Sequence, residues 1–317
     1  MAVRFVSRLA VFAVSLLAST VLVFLLMAIL PGDPARVALG INASPEAVER
    51  LRANYGLDRP LVVQYFDWLR QLLTADLGKS YISGAPMAPQ IADRFQVTLI
   101  LVLVSMVIAV AIALPLGFLA AVRHRNVSGV VLSGLSQVGV SVPAFLAGIL
   151  LIAVLAVQLG WLPAGGWVPP ARDPGDFLRH LILPALSLGM VQGAVLTRYV
   201  RSSVIDVMRE DYIRTARAKG LRPLPALLKH GLRNAAIPVV TVLALQLATL
   251  LIGAVVVERV FVIPGLGSLL LDSVSNRDLL MVQNVVMVLV VAVLLVNLLV
   301  ELLYVVIDPR LRVAGGR

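Results

Sequence analysis

The chain has 317 residues, of which 60% are hydrophobic and 14% charged, and its formal net charge is +10. A soluble domain is roughly 45–50% apolar, so this composition excludes an ordinary soluble globular protein. The chain has no cysteine, which excludes a disulfide framework, a thiolate metal site and a cysteine nucleophile.

Six stretches are apolar enough to cross a membrane, since a hydrocarbon core of about 30 Å needs about 20 apolar residues in a helix. The first has no small-residue cleavage site at its end, so we expect a retained helix rather than a signal peptide. The fourth is short and contains Pro184. The sequence predicts an all-α membrane protein with six transmembrane helices, at 9–30, 97–122, 130–159, 181–197, 235–257 and 279–307.

These spans divide the chain into a first transmembrane helix (1–30), an outer loop (31–96), a five-helix core (97–310) and a tail (311–317). The outer loop should be helical. Its Ser44 can cap a helix that has Pro45 at its first position, where proline is tolerated, and a second apolar periodicity begins near Pro60. We therefore expect the loop to form a small helical cap on the outer surface.

The distribution of charge predicts the orientation of the chain. With the amino terminus inside, the inner segments carry 16 basic against four acidic residues, or +12, and the outer segments carry 11 against 12, or −1. Positive charge concentrates in short cytoplasmic loops. Both termini are therefore predicted to be cytoplasmic, and the basicity reflects topology rather than nucleic-acid binding.

The outer segment Asp76-Leu-Gly78-Lys-Ser80 ends like a phosphate-binding loop. That motif needs a glycine five residues before Gly78, and the chain has Leu73 there. The three histidines do not have metal-ligand spacing, and neither HExxH nor GxSxG occurs. We therefore predict no nucleotide site, no metal site and no catalytic residue in this chain.

The inner loop 198–234 is the most informative segment, with nine basic and three acidic residues. Within it, residues 211–220 have an amphipathic helical pattern that stops at a glycine, a common helix stop. An apolar stripe runs at helical spacing through Ile205, Met208, Tyr212 and Ala216.

Such a helix either lies on anionic lipid or seats in a groove of a partner protein. Its small residues favour the partner, because they allow close backbone approach where a lipid-facing helix would carry bulky anchors. The predicted docking residues are Asp211, Tyr212, Arg214, Thr215, Ala216, Arg217, Ala218, Lys219 and Gly220.

Glu301 is the only Asp, Glu, Lys or Arg within the predicted spans, and two amide side chains there, Gln246 and Asn297, are further candidates for a polar role. An ionisable group inside a membrane is a candidate functional group. Glu301 lies about two turns from Asp308, so a structural pairing near the inner interface is favoured over proton coupling. Gln246 and Asn297 can line a polar pathway or join helices by hydrogen bonds, and the sequence leaves both interpretations open. Gly189 and Gly193 match a small-residue packing pattern.

At the inner loop the chain resembles the membrane-spanning permease subunits of bacterial ATP-binding-cassette (ABC) importers, in the dipeptide, oligopeptide and nickel branch. The resemblance covers nearly the whole chain. Its segments, in order, are Pro31-Gly-Asp-Pro-Ala35, Gln64-Tyr-Phe-Asp-Trp68, Asp76-Leu-Gly-Lys-Ser80, Asp211-Tyr212 through Gly220, Pro264-Gly-Leu-Gly267, Arg277-Asp278 and Asp308-Pro-Arg310.

The general cytoplasmic signature of that family is Glu-Ala-Ala, three residues, glycine, nine residues and Ile-x-Leu-Pro. Ala216 and Gly220 match it, whereas Arg214 and Thr215 replace the first two positions. His230 and Leu232-Arg233 replace the last ones. The peptide branch usually departs in this way, and the salt bridge of the missing glutamate is not carried over.

The resemblance implies a non-catalytic permease in a bacterial inner membrane that forms the pathway for dipeptides or oligopeptides. The partners that it implies are a second similar permease, two ATPase subunits that bind ATP and magnesium, an external substrate-binding protein and membrane lipid, but no nucleic acid. The alternatives are the same importer class carrying nickel or another small solute, or an ion-coupled secondary transporter that uses Glu301.

Overall fold

The computed structural model describes residues 2–30, 33–40 and 43–307. In these residues the regular structure is helical, apart from an isolated bridge between Lys79 and Pro86. The predicted tail 311–317 and the Asp308-Pro-Arg310 segment lie outside the described residues.

The helices are α1 (Ala2–Ile29), α2 (Pro34–Leu39), α3 (Pro45–Asn54), α4 (Leu61–Leu73), α5 (Met87–Val122), α6 (Val127–Ser141), α7 (Ala144–Leu151), α8 (Pro174–Met208), α9 (Asp211–Ala218), α10 (Pro223–Ala226), α11 (Leu232–Val260), α12 (Leu266–Ser275) and α13 (Leu279–Ile307). Short π-helical segments extend α7 (Ile152–Gln158) and α10 (Leu227–Gly231).

Five described helices are long and apolar enough to span a membrane, namely Val6–Ile29, Met87–Val122, Pro174–Met208, Asn234–Val260 and Leu279–Leu302. This confirms the predicted all-α membrane fold. The number reaches six if the α6–α7 pair crosses as one span. The orientation of the termini stays a prediction.

The predicted third span, 130–159, is not one continuous helix. α6 and the segment Ala144–Gln158 meet at a bend of 98°. Val142, the residue before Pro143, is extended with φ −90° and ψ 120°, because the proline ring disfavours helical geometry in the preceding residue. The break is therefore a local effect of Pro143, which the apolar pattern of the sequence does not reveal.

Two predicted boundaries also move. α5 begins at Met87, so the last ten residues of the predicted outer loop 31–96 are already helical. The short fourth stretch, 181–197, is the middle of the 35-residue helix α8, which continues through Pro184. Of its most apolar window 61% is buried, against 11–33% in the other four spans. A helix covered by protein rather than lipid can carry more polar residues, and so its apolar signal is weak.

The chain forms two compact units. The first contains Met1–Thr98 and Pro264–Leu298. In it the outer loop is helical, as predicted, and Ser44 caps α3 by accepting a hydrogen bond from the Ala47 N–H at 3.3 Å. The core of this unit combines the start of α5, α12 and the start of α13 through Met87, Ile91, Leu266, Leu269, Met281 and Val285.

The second unit contains Leu99–Ile263 and Leu299–Arg317, with α8 at its centre packed against α6, α7 and α11. The glycine pattern noted in the sequence lies where α8 meets α5. A Cβ built on Gly189 would lie 2.7 Å from Ile108 Cγ2, and one on Gly193 would lie 3.2 Å from Ile112 Cβ. The two helices therefore approach closely because those positions lack side chains.

Candidate functional site

The inner helix α9 is fixed by one face. Ile213 and Ala216 are 1% and 8% exposed and belong to a core cluster with Val207 and Leu227. Gly231 makes this packing possible, since a Cβ there would lie 2.8 Å from Val207 Cγ1. α9 is therefore seated on the end of α8 and on the segment Leu227–Gly231 rather than lying in a free loop.

The end of α9 is a Schellman motif. The Leu221 N–H donates to the Ala216 carbonyl at 3.3 Å, and the Gly220 N–H donates to the Arg217 carbonyl at 3.0 Å. Gly220 has φ +93°, in the left-handed region that glycine adopts without steric cost. Leu221 packs against the same core cluster, so the chain turns away immediately after the helix, as the predicted stop requires.

The other face of α9 is available. Tyr212, Arg214, Thr215 and Arg217 are exposed, and Asn234 Nδ2 donates to the Tyr212 hydroxyl at 2.9 Å. The remaining predicted docking residues on this face are Asp211, Ala218, Lys219 and Gly220, all exposed. Three cations against one carboxylate give this surface a net positive charge.

The predicted apolar stripe is corrected in one respect. Ala216 points into the chain's own core, with Ile205 and Met208 packed on the same cluster, so the stripe is the face that seats α9 within its own subunit. Tyr212 does not share this face, since it is 37% exposed. The surface left for a partner is polar and basic, with Tyr212 as its aromatic member.

The predicted polar residues of the spans do not form one cluster within a compact unit. Gln246 on α11 and Glu301 near the end of α13 belong to the second unit, whereas Asn297 belongs to the first. All three are half-buried. Their roles stay predictions.

A second constellation lies in the first unit, where segments far apart in sequence meet. Ser80 Oγ donates to Asp278 Oδ2 and accepts from the Ile82 and Ser83 N–H groups at 3.2 and 3.0 Å. Ser80 and Asp278 are 4% and 6% exposed. Arg277 takes the left-handed position after α12 with φ +57°, which turns the chain so that Asp278 caps α13 by accepting from the Met281 N–H at 3.3 Å.

Asn284 on α13 links the same region to α4. Its Oδ1 accepts from Trp68 Nε1 at 2.9 Å, and its Nδ2 donates to the Leu77 carbonyl at 3.0 Å. Asn284 is fully buried, so each of these bonds satisfies a group that would otherwise be costly to bury. The loop that resembles a phosphate-binding motif is therefore part of a structural network.

Two tyrosines lie beside this network. The rings of Tyr55 and Tyr81 stack with centroids 4.2 Å apart, and the Tyr55 hydroxyl donates to the Tyr81 carbonyl at 3.0 Å. Burial, followed by the negative charges of Tyr55 and Asp278, raises the pKa of Tyr81 to about 12. Burial, followed by the charge of Asp278, also raises the pKa of Tyr55.

Sequence reasoning identified the segments ending at Trp68 and Ser80 and the Arg277-Asp278 pair, but it did not pair them with one another. It missed Asn284 altogether. A single asparagine near the start of an apolar span was the available signal, because a buried amide needs several partners.

In the described part of the chain, no group of three or more His, Asp or Glu side chains is placed to hold a metal ion.

Taken with this architecture, comparison with known proteins defines the class. Residues 113–313 match the family described as the inner membrane component of binding-protein-dependent transport systems, and residues 1–102 match the N-terminal component of the same systems. The chain belongs to this family, the permeases of ABC importers, and it is an inner-membrane transport protein. The predicted resemblance and location are confirmed.

Two individual proteins resemble the chain over most of its length. The chain is 44% identical to the glutathione transport system permease protein GsiC of Pectobacterium atrosepticum over 308 residues, which is 97% of this chain and 98% of the relative. It is also 44% identical to GsiC of Escherichia coli strain K12 over 293 residues, covering 92% and 93% of the two chains.

Solved structures support the fold. The chain resembles the inward-facing MetNI methionine ABC transporter with a TM-score of 0.58 and 18% identity, over 70% of this chain and 98% of that one. It resembles a crystal structure of an amino acid ABC transporter with a TM-score of 0.52 and 16% identity, over 68% and 92% of the two chains. At these identities the likeness concerns the fold alone.

Proposed function

We propose that this permease forms the pathway for short peptides, and that glutathione is the first substrate to test. The observation that carries the proposal is the 44% identity to glutathione permeases across 97% of the chain. Glutathione is a tripeptide with a γ-linked first residue, and so it belongs to the small-peptide class of the predicted branch. Nickel and other small solutes are the alternatives.

The test is uptake by the intact importer, reconstituted with its ATPases and its external binding protein. Labelled glutathione should accumulate in an ATP-dependent manner, and unlabelled glutathione should compete. Dipeptides, an oligopeptide and Ni²⁺ are tested in parallel. Transport of Ni²⁺ without transport of any peptide would contradict the peptide assignment and leave the importer class intact.

We further propose that the exposed face of α9 couples this chain to an ATPase subunit. Supporting this, α9 is rigidly seated by Ile213 and Ala216 while the rest of its surface is exposed. A rigid helix can transmit movement of a partner to α8, on which it packs, and to α11 through the segment Leu227–Gly231. The complex then comprises two such permeases, two ATPases that bind ATP and magnesium, and an external binding protein.

Two exposed alanines, Ala218 on α9 and Ala53 on α3, provide a matched test of the coupling surface. Ala216 is unsuitable for this test because it is buried in the core of its own subunit. Ala218→Glu should leave folding and insertion intact but displace the ATPases or uncouple hydrolysis from uptake. Ala53→Glu, at an exposed position of α3, should retain the ATPases. Wild-type uptake and ATPase retention in Ala218→Glu would show that this face is not the docking surface.

The chain itself is proposed to bind no nucleotide, because Leu73 occupies the glycine position of the phosphate-binding pattern and Ser80 is engaged with Asp278. Lys79 is exposed, so Lys79→Ala should preserve ATP turnover in the complex. Loss of turnover with normal assembly would contradict this.

Glu301 separates the importer from the ion-coupled alternative. Glu301→Gln keeps the shape and hydrogen-bonding capacity of the side chain and removes its charge, so ATP-driven uptake should survive in part. Complete loss of uptake, together with dependence on the proton gradient in the wild type, would favour the secondary transporter.

A further inference from the structure

The outer helix α4 has three distinct faces. With 3.6 residues per turn, Tyr65, Trp68 and Leu72 share the face that packs with α1 and α13 in one cluster. A polar face carries Gln64, Asp67, Arg70 and Gln71, which line a cavity of about 1050 Å³ in the first unit. The third face is apolar and consists of Val62, Phe66, Leu69 and Leu73, within a sector of about 60°.

This third face, the α4 stripe, is not covered by the rest of its unit. Val62 is 66% exposed, Phe66 61% and Leu73 81%. Three large apolar side chains aligned on one helix form a continuous patch, and such patches mark a contact with a membrane or with another protein. What covers the stripe depends on where α4 lies relative to the bilayer.

The contacts of α4 with α1 give that depth. The Tyr65 hydroxyl lies 2.9 Å from Thr20 Oγ1, and the Tyr65 ring meets Phe24 edge-on with centroids 5.4 Å apart. Thr20 lies nine residues before the end of α1 at Ile29, which is about 14 Å along the helix axis at 1.5 Å per residue. The Tyr65 hydroxyl therefore reaches well below the outer end of the first span.

α13 provides a second, independent measure. Trp68 Nε1 bonds Asn284 and the indole packs on Met287. These residues lie five and eight positions after Leu279, where the last span begins, or about 8 and 12 Å into it. Both spans thus place the buried face of α4 inside the outer half of the membrane rather than above it.

We propose that α4 is an interfacial helix of the outer leaflet, and that its stripe of Val62, Phe66, Leu69 and Leu73 packs against lipid acyl chains. An amphipathic helix in this position buries its apolar face roughly 5–10 Å into the boundary between headgroups and acyl chains. The polar face then points into the cavity.

This arrangement changes one part of the prediction that the outer loop forms a helical cap on the outer surface. Helices α2 and α3 then lie above the membrane, whereas α4 belongs to the lipid boundary. The helix then holds the outer segment at a fixed height while substrate is delivered. The inference depends on the membrane spans and not on the proposed substrate.

The absence of native cysteine allows a direct test in the assembled complex in phospholipid nanodiscs. Nitroxide labels are attached to single cysteines at Phe66 and Leu73 on the stripe and at Asp67 on the polar face. Leu22→Cys on α1 serves as the lipid reference and Glu49→Cys on α3, an exposed position, as the water reference. Collision with dissolved oxygen, which concentrates in lipid, is compared with collision with a water-soluble nickel chelate.

Labels at Phe66 and Leu73 should show the oxygen-to-nickel collision ratio of Leu22, and the Asp67 label should shift to that of Glu49. Two outcomes would overturn the proposal. A ratio like that of Glu49 on the stripe would place it in water, and protection from both reagents would show that a protein partner covers it. Neither result bears on which solute is transported.

Discussion

Ser80 and Asp278, separated by 198 positions in the sequence, form a buried hydrogen bond that joins the outer loop to the start of the last span. The sequence analysis singles out the segments that contain these two residues, but it does not pair them. Together they fix the position of the outer segment relative to α13, since Asp278 caps that helix as well.

Ser80→Ala should therefore destabilise the first unit. It leaves a carboxylate that is 6% exposed without one of its hydrogen bonds, at a cost of about 1–3 kcal/mol. Unfolding by denaturant in detergent measures the effect, and limited proteolysis should cut the outer segment faster. Ser83→Ala is the matched control at an exposed serine, and equal losses in both variants would contradict the assignment.

The raised pKa of Tyr81 predicts that the folded protein loses stability at alkaline pH. This pKa is about 12 in the folded chain, against 10.0 for a free phenol. Between these values the folded state holds the proton that the unfolded state has released, so this contribution to stability is complete below pH 10 and declines as the pH rises toward 12. Thermal unfolding across this range measures the decline, and Tyr81→Phe should reduce the slope. An unchanged slope would show that other groups cause it.

Gly189 should tolerate no side chain, because a Cβ would lie 2.7 Å from Ile108 Cγ2 and 2.9 Å from the Ser105 carbonyl oxygen. Gly189→Ala is expected to cost about 1–3 kcal/mol as an overpacked contact, with Gly193→Ala costing less. The thermal stability of the detergent-solubilised complex shows which of these two substitutions costs more. Gly134→Ala, on α6 with open space around it, should be neutral, and a loss as large as that of Gly189→Ala would contradict the steric explanation.

Gly220→Val should act through backbone conformation alone. The position has φ +93° with no atom within 4 Å of a built Cβ, so there is room for the side chain but a left-handed backbone costs about 1–2 kcal/mol. We expect loosening of the α9 terminus, with lower uptake and faster cleavage by protease after Lys219. Gly220→Asn is the control, because asparagine enters this region more readily. Equal uptake in wild type and valine variant would show that this turn need not be rigid.

The predicted orientation is tested by cysteine labelling in intact cells. Ser83→Cys on the outer side should react with an impermeant thiol reagent, whereas Thr215→Cys on α9 should react only after permeabilisation. Both positions are exposed, so protection reflects the membrane rather than burial. Labelling of Thr215→Cys in intact cells would reverse the topology.

The sequence by itself determined the class of this protein. Apolar stretches of spanning length indicated the helical membrane fold, and the ordered segments from Pro31 to Arg310 indicated the permease family. Local signals also predicted the Ser44 cap and the end of α9 at Gly220, because capping and left-handed turns depend on neighbouring residues alone.

Only the tertiary structure decided which faces of those helices are buried. The helical spacing that places Ala216 in an apolar stripe is the same for a face that packs on its own subunit and for a face that packs on a partner. The structure shows that Ala216 packs on its own subunit. Pairs such as Ser80 with Asp278 and Trp68 with Asn284 are joined across about 200 residues. Such contacts depend on how the helices pack in three dimensions, and local propensity carries no information about them.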